Sequence, residues 1–202
     1  MEAPQLRGLA ERSLRSRGEY HILSGEEYRT ATFGHLNLFL LDELIMPNLA
    51  YNADNWPPYG HIGRKAREAG GYSFYAHGGY AQEIYADVVQ GNVDGVELLQ
   101  FGVYRGIGLI DWYHILNTGF RFPAVGACDY PACRKLGDSK TYVHGEEQPT
   151  FKQWLHAAAE GRSFFTSGPL IRLEVDGERP GAQIDKQGEG PHRVTARIRV
   201  RS

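Results

Sequence analysis

A chain of 202 residues with 42% hydrophobic and 23% charged residues can build one sizeable α/β domain, with or without part of a second, and its composition excludes a disordered polymer. The formal charge of -2 gives no electrostatic basis for a nucleic-acid or anionic-membrane partner. No apolar run reaches the ~20 residues that span a bilayer; the longest, 36–46, contains Asn37, Asp42 and Glu43 and reads as a buried strand with its exit.

Residues 1–17 set charges between Leu6, Leu9 and Leu14, the spacing of an amphipathic helix and not the unbroken apolar core of a signal peptide. Short apolar runs predict strands at 20–25 and 36–41, then at 72–76, 93–99 and 122–126. Helical stretches fall between them at 62–69, 81–90 and 109–117, the last closed by Gly119. A further helix at 150–160 has Thr150 as N-cap and Gly161 as its stop. Strands alternating with helices of this length predict an α/β fold of parallel βα units, in a barrel or an open sheet. After Gly168 the pattern changes. Residues 170–175 and 194–200 alternate apolar and polar side chains, as half-buried antiparallel strands do, with Asp176-Gly177 and Pro180-Gly181 as turn residues. The expected division is therefore 1–167 for an α/β domain and 168–202 for the start of a β-rich one. Two strands cannot close a sandwich, so this edge is expected to pack on something else or to belong to a longer product. Cys128 and Cys133 cannot staple a domain of this size and are expected to be free thiols.

Parallel α/β folds present reactive groups where strands give way to loops. Glu26 and Glu27 follow the first predicted strand, His35 precedes the second, His77 ends the third and Asp129 follows the strand at 122–126. Taken singly, each histidine reads as a hydrogen-bonded loop residue and each carboxylate as a solvated charge. Together, imidazole and carboxylate at successive strand ends suit Zn, Mn or Fe, held so that water is activated as a nucleophile.

The motifs Ser24-Gly25-Glu26-Glu27, Gly34-His35-Leu36-Asn37, Ala76-His77 and the Gly-x-x-Asp ending at Asp129 resemble the middle and late motifs of PHP metallohydrolases. Glu27-Tyr28-Arg29-Thr30, Leu116-Asn117-Thr118-Gly119-Phe120 and the segment from Gly161 to Pro169 are similar to the CehA/McbA branch, the carbaryl-hydrolase-like proteins. The resemblance covers roughly residues 18–184. It implies a partial (β/α)₇-like barrel with metals at the C-terminal ends of its strands, followed by the start of a small antiparallel β region. It implies Glu27 as a carboxylate ligand, His35 and His77 as imidazole ligands and Asp129 as the aspartate of the last motif. Two departures stand out. The opening Asp-x-His-x-His motif of that family does not occur before Gly25, and Pro131 stands where the last motif commonly has histidine. The expectation is a C-terminal portion of a catalytic domain, either completed by another chain supplying the N-terminal half or a partial reading frame that still folds.

The expected function is hydrolysis at a carbonyl or phosphoryl centre of a small-molecule substrate, and the resemblance to the CehA/McbA branch implies an ester, amide or carbamate. Glu27, Asp129 and Arg29 are the candidate catalytic residues, and Arg105, Arg134 and His61 the candidate substrate contacts. His61 is expected in a long aromatic loop after Trp56; His114 is expected to be structural. Ser163 and Ser167 lack a nucleophile-elbow pattern, and the glycine-rich 102–108 lacks a P-loop lysine. Two rivals remain: a metal-dependent phosphoesterase, and an inactive binding module using exposed Trp56, Tyr59 and Tyr80.

Overall fold

The computed structural model describes residues 23, 25–30, 34–45, 57–81, 83–100, 103–104, 108–130, 134–145, 148–185, 188 and 190–199. Strands β1 (Glu26–Arg29) and β2 (His35–Phe39) pair antiparallel, with Glu27 opposite Asn37 and Arg29 opposite His35. Side chains alternate across a strand, which puts Tyr28, Leu36 and Leu38 on one face and Glu27, His35 and Asn37 on the other. The first set is fully buried. Glu26 shares its side of the strand and is also buried, its Oε2 accepting a 2.6 Å hydrogen bond from the Ile45 amide.

Helix α1 (Tyr59–Glu68) covers that apolar face. The Tyr59 ring meets Tyr28 edge-on at 5.4 Å and Tyr75 at 5.5 Å, and Ile62 and Ala66 are buried one and two turns further on. Each Leu or Ile so buried contributes about 1.5–3 kcal/mol. The helix sits close because Gly63 lets it: a Cβ there would lie 2.3 Å from the Asn92 carbonyl oxygen.

Strand β3 (Tyr72–Tyr75) pairs antiparallel with β2, and β4 (Gly95–Gln100) runs parallel to β3. Between them come a 3₁₀ turn, Ala76–Ala81, and helix α2 (Ile84–Gln90). β5 (Val103–Tyr104) pairs back on β4, and α3 (Gly108–Asn117) leads to β6 (Ala124–Ala127), again parallel to β4. Among the described residues the result is a six-stranded mixed sheet. Parallel units are thus present in β3–α2–β4 and β4–α3–β6, where a helix carries the chain back. β1, β2 and β3 pair antiparallel instead, so the expectation of parallel units throughout fails at that edge. Among the described residues no pairing joins β6 back to β1.

The remaining elements are β7 (Lys140–Val143), helix α4 (Phe151–Ala159), β8 (Ser163–Thr166), which pairs antiparallel with β7, and the hairpin of β9 (Leu170–Val175) with β10 (Val194–Arg199). α4 begins with a full capping box, Thr150 and Gln153 each satisfying the other's amide. β7 and β8 were not expected; β9 and β10 pair antiparallel as expected, but Leu170, Ile171, Leu173 and Val194 are exposed, so the half-burial their alternation predicts is not found. Of the strand expected at 20–25, the described Leu23 and Gly25 are outside any strand and pairing begins at Glu26; the remainder, like the helix at 1–17, Trp56 and Cys133, lies outside the described residues. Cys128 is a free thiol. Among the described residues no helix is long and apolar enough to cross a membrane.

Candidate metal centre

Glu27, His35 and His77 each bring one ligand-type atom to a point where all three lie within 4.8 Å of one another. The β1–β2 register explains the first two. Glu27 faces Asn37 and His35 is two residues before it, so the pair are diagonal neighbours on the face opposite α1. His77 arrives from the end of β3, in the left-handed region with φ 52°, followed by Gly78 with φ 70°. A non-glycine residue there costs on the order of 1–2 kcal/mol and persists only where its surroundings over-determine it. The turn brings the two imidazoles to a ring separation of 4.7 Å at 70°.

The electrostatics suit a cation. His35 Nδ1 is buried 2.8 Å from Glu27 Oε1, within ion-pair range yet off the line of a hydrogen bond. Arg29 Nη2 is 3.1 Å from the other carboxylate oxygen. Burial opposes ionisation of Glu27, but His35 and Arg29 outweigh it and hold the carboxyl down to about 2. His77 is pushed the other way, below the ordinary histidine value, by burial and by His35, against the opposing charges of Asp129 and Glu27. Near neutral pH the cluster therefore offers an ionised carboxylate and an unprotonated imidazole, the forms in which both bind metal. The donor set, one carboxylate and two imidazoles from three separate stretches of chain, fits a divalent Zn, Mn or Fe ion.

Glu97 is a component that sequence reasoning missed. It sits in β4, buried, beside an irregularity in the β4–β6 ladder. Its Oε1 accepts a 2.8 Å hydrogen bond from Asn37 Nδ2. The carboxylate also accepts from the His77 main-chain N–H. Burial pushes its carboxyl up to about 7, the charges of Glu27 and Asp129 adding to that and the two donors opposing it. The available signal was a carboxylate set between Val96 and Leu98 in the apolar part of the strand expected at 93–99.

Asp129 follows β6 with φ 53°. It is outside the three-residue cluster, though near enough for its charge to act on His77 and Glu97. Arg29 lies at the rim of the cluster, paired with Glu27. His61 is not in a loop: it occupies the first turn of α1, whose buried side packs on the opposite face of the sheet. Arg134 is exposed, and Arg105 lies outside the described residues. Tyr59, expected as an exposed aromatic, is fully buried; the side chain of Tyr80 lies outside the described residues.

No protein-family signature matches the chain, and no characterised protein matches it in sequence. Among solved structures, it is similar to a two-domain protein from Bacteroides vulgatus described as containing a predicted PHP-like metal-dependent phosphoesterase. The identity is 18% and the TM-score 0.49, over 70% of this chain and 43% of that one. The chain thus spans less than half of that protein's length, and likeness at this level assigns it neither a family nor an activity.

Proposed function

We propose that this chain belongs to a metal-dependent hydrolase in which Glu27, His35 and His77 hold a divalent ion, with Asp129 as a further carboxylate within reach. The observation that carries the reading is the convergence of one carboxylate and two imidazoles within 4.8 Å on the side of the sheet away from its apolar core. An ion of this kind polarises a substrate carbonyl or phosphoryl oxygen and lowers the pKa of water to near neutrality. The chain's own residues prepare the site. Glu27 is held ionised, and His77 is held unprotonated by burial and by His35, against the charges of Asp129 and Glu27. Arg29, its side chain 46% exposed, puts a cation at the rim where an anionic or carbonyl oxygen of the substrate would lodge. Arg105 and Arg134 are the further candidates for substrate contact in this reading; His61, on α1 across the sheet from the cluster, is not.

The motifs at Glu27, His35, His77 and Asp129 favour the PHP superfamily and its CehA/McbA branch. On that basis the frame would be a partial barrel and the substrate an ester, amide or carbamate. The rival binding module loses one of its aromatics, because Tyr59 is buried between Tyr28 and Tyr75. The test is elemental analysis of the purified chain and of His77→Ala, followed by assays with aryl esters, carbamates and phosphomonoesters. Near-stoichiometric Zn, Mn or Fe, lost in the variant, is the expected result. Turnover of phosphomonoesters only would move the substrate assignment to phosphoesters, and absence of metal from both proteins would contradict the reading.

A further inference from the structure

Glu97 takes no part as a ligand in the reading above, yet it is buried on β4, beside β3 and one strand away from β2, the two strands that lead to His77 and carry His35. It reaches both of them. One oxygen accepts from Asn37 Nδ2 at 2.8 Å, and Asn37 is two residues along β2 from His35. The carboxylate also accepts from the N–H of His77, the residue whose backbone turns left-handed at the end of β3. A buried carboxylate with no role would be costly, since desolvating its charge is repaid only by good partners. Here the partners are a side chain next to one candidate ligand and the main chain of another.

We propose that Glu97 is a positioning residue: its carboxylate ties Asn37 to the His77 main chain and so sets the direction from which the His77 imidazole enters the cluster. This rests on the metal reading of Glu27, His35 and His77. Free of that tie, His77 would relax from φ 52° toward the more populated negative-φ regions, swinging its ring away from His35. Carboxylate oxygens can accept from both donors at once. A glutamine has one acceptor oxygen and would turn its amide N–H₂ toward the second donor, so Glu97→Gln keeps the volume and breaks one bond of the pair.

The test compares wild type, Glu97→Gln and Asn37→Ala by zinc titration against a chromogenic chelator, by amide NMR at His77 and by urea unfolding. Partners that orient metal ligands are worth about 10–100-fold in affinity. The expected result for Glu97→Gln is a zinc dissociation constant raised by that factor, with the His77 amide proton moved upfield and its exchange protection reduced. Asn37→Ala, which leaves the His77 bond in place, should weaken zinc less. If Glu97→Gln fails to fold, the same ordering read from Asn37→Ala against wild type decides it: unchanged zinc affinity there overturns the tie. Wild type that binds zinc with an equal affinity in Glu97→Gln overturns the positioning role alone, even if the amide moves. Wild type that takes up no zinc overturns the metal reading and this role with it.

Discussion

Replacing Gly63 with alanine puts a methyl group where α1 approaches the Asn92 main chain and Ser73 of β3. The built Cβ lies 2.3 Å from the Asn92 carbonyl oxygen and 3.1 Å from Ser73 Oγ, where ordinary contact begins at 3.4 Å. Relief therefore requires the helix or the 92–94 turn to move by about 1 Å, since the partner is backbone and cannot rotate away. A gap of that size forfeits a quarter to a half of each dispersion contact it opens. The contacts at stake are those of Tyr59, Ile62 and Ala66 against Tyr28, Tyr75 and Val96. Overpacking of a close-packed core costs about 1–3 kcal/mol, and a backbone clash belongs at the upper end. Alanine returns up to about 1 kcal/mol through its helix propensity. The net expectation is a loss of about 2 kcal/mol, or about 4–8 °C in Tm for a chain of this size. Urea and thermal unfolding followed by far-UV circular dichroism measure it. Zinc uptake by the folded fraction should be unchanged, because the cluster occupies the other face of the sheet. A variant as stable as wild type, or more stable, would refute the close docking of α1.

Tyr59→Phe keeps the ring contacts but removes the hydroxyl that donates to the Gly34 carbonyl oxygen, one residue before His35. That oxygen keeps the Thr30 amide at 3.1 Å, so the cost should stay near 1 kcal/mol, read as a lower urea midpoint at constant slope. Asp87 is buried beneath α1, and burial raises its carboxyl above the ordinary 3.8 against the Tyr75 and Asn92 donors. The folded state then holds this proton longer than the unfolded one, so stability should fall as the pH rises from about 3.8 through the raised value. Urea midpoints across that window should slope less in Asp87→Asn; equal slopes would contradict the assignment. Thr150→Ala removes half of the capping box on α4 and should cost about 1 kcal/mol, with Gln153→Ala costing less than that in addition because the two act together.

The helices were legible because their ends are written in local chemistry. Thr150 caps α4, and Gly119 and Gly161 take left-handed φ values of 92° and 73° just past α3 and α4. α1 was read from Ile62, whereas Pro58 starts it at Tyr59 and draws His61 out of the expected loop. Glu27, His35 and His77 were picked out as a set, but for a reason the structure replaces. They were assigned to ends of parallel strands, while Glu27 and His35 project from the face of an antiparallel hairpin. The alternation Glu27-Tyr28-Arg29 and His35-Leu36-Asn37 contained that face; the register that makes this carboxylate and imidazole neighbours depends on how the two strands pair, which the alternation within either one does not carry. Glu97 was hidden for a related reason. Its strand was read as one apolar run, and a carboxylate inside such a run gains meaning only when Asn37 and His77 are seen to arrive beside it. β7 and β8 hold only the short apolar pieces Tyr142-Val143 and Phe164-Phe165 and become recognisable as strands when they pair with each other.

The claim that Glu27, His35 and His77 form a metal centre is tested most directly by X-ray absorption on the chain loaded with one equivalent of zinc and freed of excess by gel filtration. The account predicts retained zinc with two imidazole shells and nitrogen or oxygen neighbours at about 2.0–2.1 Å, falling to one imidazole in His35→Ala. Zinc that washes out of the wild-type chain, or that stays with an imidazole count unaltered by that substitution, would contradict it.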